Sequence, residues 1–127
     1  MITITVNDLL NTVPVLRELI NKPFKGSIAF KLARLIREFD KENTLFEEAR
    51  VNLAQKYCER DENGEPIILE TGAIKLQEDK INECNEEISN LLSTQLEIVA
   101  EKIPISAFDD IELTPSQIIV LEDLIEY

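Results

Sequence analysis

Apolar positions between Ser27 and Tyr57 recur at alternating steps of four and three: Ile28, Leu32, Leu35, Phe39, Phe46, Ala49 and Leu53. With no Pro or Gly in the interval, the spacing predicts one amphipathic helix of about 45 Å, capped by Ser27. Glu42 is the polar residue in the stripe, so a bend or a partner group is expected there. A helix cannot bury so long a stripe by itself and needs a second helix or a second subunit. A second amphipathic stretch runs from about Glu78 to Leu92, with Ile81, Cys84, Ile88, Leu91 and Leu92 on one face. It is about half as long. The remainder of the stripe, Leu32, Leu35, Phe39 and Phe46, is therefore expected at the interface of a homo-oligomer.

The flanking segments fill in the architecture. Met1 to Val6 alternates with period two and reads as a strand, and Leu96 to Val99 is a second strand able to pair with it. Asn7 or Asp8 can cap a first helix whose apolar face is Leu9, Leu10, Val13, Leu16, Leu19 and Ile20; Pro14 should kink or break it unless a new turn starts after Thr12. Asn21-Lys22-Pro23 ends that helix, and Phe24-Lys25-Gly26 connects to the long one. Glu59 to Glu65 is a charged loop with an Asn63-Gly64 turn, and Ile67 to Leu69 with Ala73 to Leu76 reads as a small β-hairpin around Thr71-Gly72. Ser106 to Asp110 is expected to form one helical turn. Thr114-Pro115-Ser116-Gln117 is a capping box, stapled by Leu113 and Ile118, and opens a helix to about Glu126 that packs through Ile118, Leu121, Leu124 and Ile125. The expected fold is α+β and mostly α: a single domain over residues 1–127 built on a long helical hairpin. A small β-hairpin lies at its tip, with a short terminal strand pair and a capped C-terminal helix.

Composition narrows the chemistry. The 127 residues are 44% hydrophobic, enough for one core, with no apolar run of membrane length and no signal-peptide layout at the start, which points to a cytoplasmic protein. Cys58 and Cys84 fit no zinc or redox spacing and are expected as thiols. Histidine is absent, which removes His-based catalysis and most catalytic metal sites, and three glycines cannot supply a phosphate loop. Asp61, Asn63 and Glu65 alternate like calcium ligands, but Gly64 is misplaced and Gly72 stands where a closing Glu belongs, so a solvated turn is expected. Glu47, Glu48, Glu86 and Glu87 read as wet helix faces. No enzyme, no metal and no cofactor are expected.

Charge is uneven. The net charge is −12, which disfavours nucleic acid as a partner. Yet Arg17 to Lys41 is net positive, while the chain beyond Gln95 carries Lys102 as its single cation. On the long helix Phe30, Arg34, Arg37 and Lys41 fall at i, i+4, i+7 and i+11, opposite the core stripe. With Lys25 and the Gly26-Ser27 helix start they could stack a ring and hold a phosphate. The alternative is that Phe30 is covered by the first helix through Leu16 or Leu19 and the charges only solvate a face.

Leu9-Leu10-Asn11, Ala29-Phe30-Lys31-Leu32, Phe46-Glu47-Glu48-Ala49-Arg50, Lys56-Tyr57, Asp61-Glu62-Asn63-Gly64 and Leu113-Thr114-Pro115 occur here in an order that resembles a family of small, acidic, uncharacterised phage and prophage proteins. The resemblance implies a viral origin and carries no activity to any residue. Two functions are therefore expected. One is a non-enzymatic phage-type accessory protein of the host-takeover or anti-defence kind, capturing a host protein or a small anionic nucleotide through Phe30, Arg34, Arg37, Lys41, Lys25 and Ser27, with acidic mimicry of DNA as a weaker form. The other is a virion or tail-assembly component that packs through its helical hairpin.

Overall fold

The computed structural model describes all of residues 1–127. It is mostly helical with short strand pairs, as the hydrophobic periodicity predicts. In chain order the elements are β1 (Ile2–Thr5), α1 (Val6–Leu19), α2 (Gly26–Lys56), α3 (Ile81–Leu92), β2 (Gln95–Ile98), β3 (Ile103–Pro104), α4 (Pro115–Leu121) and β4 (Ile125–Glu126). No helix is long and apolar enough to cross a membrane. Two compact units share the chain, one of Met1–Thr44 with Thr94–Tyr127, the other of Leu45–Ser93. The division falls inside α2, just beyond Glu42. The helix runs through Glu42 without interruption, and its half-buried side chain marks the gap between the stripe residues of one unit and those of the other.

In the first unit β1 and β2 pair antiparallel in the register Ile2↔Ile98 and Ile4↔Leu96. The period-two alternation turns Ile2 and Ile4 into the core while Thr3 stays in water. The first helix starts earlier than Asn7 or Asp8 would place it: Thr5 is the cap, its hydroxyl accepting from the Asp8 N–H at 3.1 Å. Pro14 does not break α1. It lies on the exposed side, where the Leu10 carbonyl left without an N–H partner can turn to water, and the helix continues to Leu19. Leu9, Val13, Leu16 and Leu19 are buried as expected, Leu10 is half-buried, and Ile20, just past the helix end, is exposed instead.

These residues form one core with Leu32, Leu35, Ile36 and Phe39 of α2 and with Ile98, Ile103, Leu121, Leu124 and Ile125. That packing overturns the interface expectation for Leu32, Leu35 and Phe39. Elements of the same chain cover them, leaving Phe39 and Leu35 with no exposed surface. Phe46 is likewise buried within its own chain, in the second unit.

The C-terminal segment departs from its pattern. Its helix stops at Leu121 instead of reaching Glu126; a 3₁₀ turn over Glu122–Leu124 follows, and Ile125–Glu126 pairs parallel with Ile103–Pro104. Glu122 and Asp123 oppose the negative end of a helix dipole, and burial of Ile125 beside Ile103 rewards the extended conformation. Ile118 was expected in the packing face but is exposed. The turn before α4 is a 3₁₀ turn over Ile105–Phe108.

The second unit holds the end of α2, all of α3 and the segment that connects them. A Lys56–Glu87 ion pair at 3.4 Å ties the end of α2 to α3. Of the expected α3 face, Cys84 is buried, Ile88, Leu91 and Leu92 are half-buried, and Ile81 is exposed. The connection is more closed than a hairpin. The Glu59 N–H donates to the Lys75 carbonyl at 2.8 Å, the Lys75 N–H to Ile67 at 2.9 Å, and the Ile67 N–H to Glu59 at 3.0 Å. Three short segments thus bond cyclically, each to the other two, with isolated bridges Cys58↔Leu76, Arg60↔Pro66 and Ile68↔Ile74. Gly64 and Gly72 make the turns at φ +80 and +87, a region that only glycine enters without strain. Asp61 accepts from the Asn63 and Glu65 N–H groups, so its carboxylate shapes the loop that resembled a calcium site.

Candidate functional site

The face opposite the core stripe of α2 is the feature that composition does not explain. At 3.6 residues per turn, Phe30, Arg34, Arg37 and Lys41 fall within about 60° of one another, along about 16 Å of helix. All four are exposed. Phe30 is 65% accessible, so α1 does not cover it, and Leu16 and Leu19 face the core instead. The Arg34 guanidinium lies 6.0 Å from the Phe30 ring centroid, a cation–π contact that holds the ring and the charge as one unit.

The electrostatics of this face stand apart. Of the other basic residues of the unit, Arg17 pairs with Asp40 at 3.6 Å, Lys31 pairs with Glu101 at 3.4 Å and Lys22 reaches the Glu112 carbonyl, while Lys25 and Lys102 form no ion pair and lie off this face. Arg34, Arg37 and Lys41 pair with no carboxylate, in a chain with 25 acidic against 13 basic residues. A fold with so many acids to spare leaves these three cations to solvent or to a partner.

Lys25 does not join them, whereas Ser27, exposed and one turn before Phe30, lies beside them but does not cap the helix as expected. The helix begins at Gly26, its first bond running from the Ala29 N–H to the Lys25 carbonyl at 2.8 Å, so Ser27 lies inside the first turn and not at the cap. Helical spacing puts Lys25 about 140° from Phe30 around the axis. It borders instead a cavity of about 390 Å³ with Phe24, Ile28, Asp109 and Asp110. Phe24 and Phe108, edge to face at 6.0 Å, fix that wall. With two carboxylates on its rim, the cavity is a poor match for an anion.

A second cluster lies in the other unit. Arg50, Val51 and Ala54 of α2, the segment Thr71 to Ile74 with Leu76, and Cys84 with Ile88 of α3 line a cavity of about 490 Å³. Burial pushes the Cys84 thiol above its ordinary range, with the Glu87 carboxylate adding to the effect, so it is a weak nucleophile at neutral pH. Neighbouring Lys56 is shifted upward, first by Tyr57 and then by Glu87, and stays charged. Sequence periodicity did not indicate this cavity, because its walls come from three separate segments.

Compared with known protein families, curated proteins and solved structures, the chain matches none.

Proposed function

We propose that this protein works by binding and without chemistry, as a phage-type accessory protein whose contact surface is the Phe30–Lys41 face of α2. One observation carries the reading: an aromatic ring 65% exposed, in cation–π contact with Arg34 and on one helix face with Arg37 and Lys41, none of which has a carboxylate partner in an acidic chain. The phage-type origin is supported by the sequence resemblance alone.

Geometry selects among the anionic partners. Ligand pockets bury about 70–90% of a small molecule's surface. An outward-facing ridge on one helix would leave a nucleotide mostly in water. An acidic protein surface, by contrast, can cover ring and cations together, and exposed aromatic and Arg residues are the side chains that most often dominate protein interfaces.

A photo-crosslinking residue at Ala33, exposed and beside the face, tests this in cells expressing the protein. Protein adducts are expected, and Arg34→Glu with Arg37→Glu should abolish them. Absence of adducts, or adducts indifferent to the charge reversal, would rule the reading out.

A further inference from the structure

The unit that carries the basic face also carries a surface of matching design. Among the helical residues, the two most exposed large hydrophobic side chains are Phe30 at 65% and Ile119 at 71%. Phe30 is followed one and two turns on by Arg34 and Arg37. Ile119 is followed one turn on by Glu122 and Asp123, both exposed. From Glu97 to Glu126 every acidic side chain is exposed, and Glu101 alone is paired, to Lys31. One compact unit thus displays an apolar anchor flanked by unpaired cations and another flanked by unpaired carboxylates, and it does not bring their charges together.

We propose that the occupant of the Phe30–Lys41 face is a second copy of this chain, docked through Ile119, Glu122 and Asp123. The inference rests on reading that face as a contact surface and names its partner. Apolar anchors meet at the centre while Arg34 and Arg37 meet Glu122 and Asp123 around them, the pattern of a buried core with a charged rim. Two copies of net charge −12 repel at a distance. At physiological ionic strength that repulsion is screened beyond about 8 Å, whereas paired charges at contact are screened much less. The arrangement differs from a dimer made through the α2 stripe, whose residues lie inside the chain. Each copy offers both surfaces, so contacts are reciprocal in a closed dimer or sequential in a longer assembly.

Sedimentation equilibrium of the full chain across the micromolar range tests this through a charge swap. The parent protein is expected to self-associate. Arg34→Glu/Arg37→Glu and, separately, Glu122→Lys/Asp123→Lys are each expected to weaken association about a hundredfold, the effect of losing two charge-assisted contacts. An equimolar mixture of the two variants should associate again, because each then offers the surface complementary to the other. Far-UV circular dichroism reports whether each variant is folded. Should a double variant misfold, Phe30→Ser at its exposed position is expected to weaken association by about tenfold with the fold intact. A parent that is monomeric throughout, association that survives the reversals, or a mixture that fails to recover would each overturn the second copy as partner. A monomeric parent that still gives Ala33 adducts to other proteins leaves the contact face standing. A monomeric parent without adducts removes both.

Discussion

Gln117 makes two contacts with one amide. Its oxygen accepts the Thr114 N–H at 2.8 Å while the Thr114 hydroxyl accepts the Gln117 N–H at 3.2 Å, and its NH₂ donates to the Glu18 carboxylate of α1. The capping box was legible in the sequence because its spacing is local. The tie to Glu18 was not, since it joins residues 99 apart. Substitutions separate the two roles. Thr114→Ala removes the hydroxyl acceptor and is expected to cost about 1 kcal/mol in a urea or thermal melt. Gln117→Glu keeps an acceptor for Thr114 but sets two carboxylates against each other, at an expected cost of about 0.5 kcal/mol for partly exposed like charges. Glu18→Gln in the same background should remove that cost. Identical melts for Gln117→Glu and the double variant would show that the amide gains nothing from Glu18.

At the scale of elements, α1 and α2 show where pattern and structure part. The pattern in α2 was strong enough to give its length and its buried face, and it placed Phe30, Arg34, Arg37 and Lys41 together because 3.6-residue spacing is a property of the helix alone. It could not show what covers the stripe, because the covering residues, from Ile2 to Ile125, come from the whole length of the first unit. For the same reason the joining of Glu59 to the legible Ile67–Leu76 hairpin, and the two-residue pairing of β3 with β4, left no mark: bridges this short have no period to detect. Proline propensity in α1 failed for a different reason. Packing of Leu9, Val13, Leu16 and Leu19 outweighs the local cost of Pro14. That cost remains in the folded state, so Pro14→Ala, which returns an N–H to the Leu10 carbonyl, is expected to raise stability by about 1–3 kcal/mol. An unchanged or lowered unfolding midpoint would mean that the proline contributes more by restricting the unfolded chain than it costs α1.

For the molecule as a whole, the distribution of burial predicts unequal stability along one continuous helix. Of the buried hydrophobic residues, Phe46, Cys58 and Cys84 lie in the Leu45–Ser93 unit and all the others in the first. Full burial of a large apolar side chain contributes about 1.5–3 kcal/mol, so the second unit has far less to oppose its opening. Beyond the division, α2 continues only over Leu45–Lys56, a length at which isolated helices, below about 12–15 residues, are marginal in water. Amide hydrogen exchange of the native protein should therefore separate the units. Amides of α1 and of α2 up to about Thr44 are expected to exchange at least tenfold more slowly than those of α2 beyond Leu45 and of α3, a difference of about 1.4 kcal/mol in opening free energy. The basic face of α2 lies entirely on the protected side. Cys84→Ala, which removes a buried side chain from the weaker unit, should accordingly speed exchange in α3 and in the cyclic β connection, while self-association through Phe30, Arg34 and Arg37 stays at the parent level. Uniform protection along α2 would mean that the two units open as one, and loss of association in Cys84→Ala would mean that the contact face depends on the second unit after all.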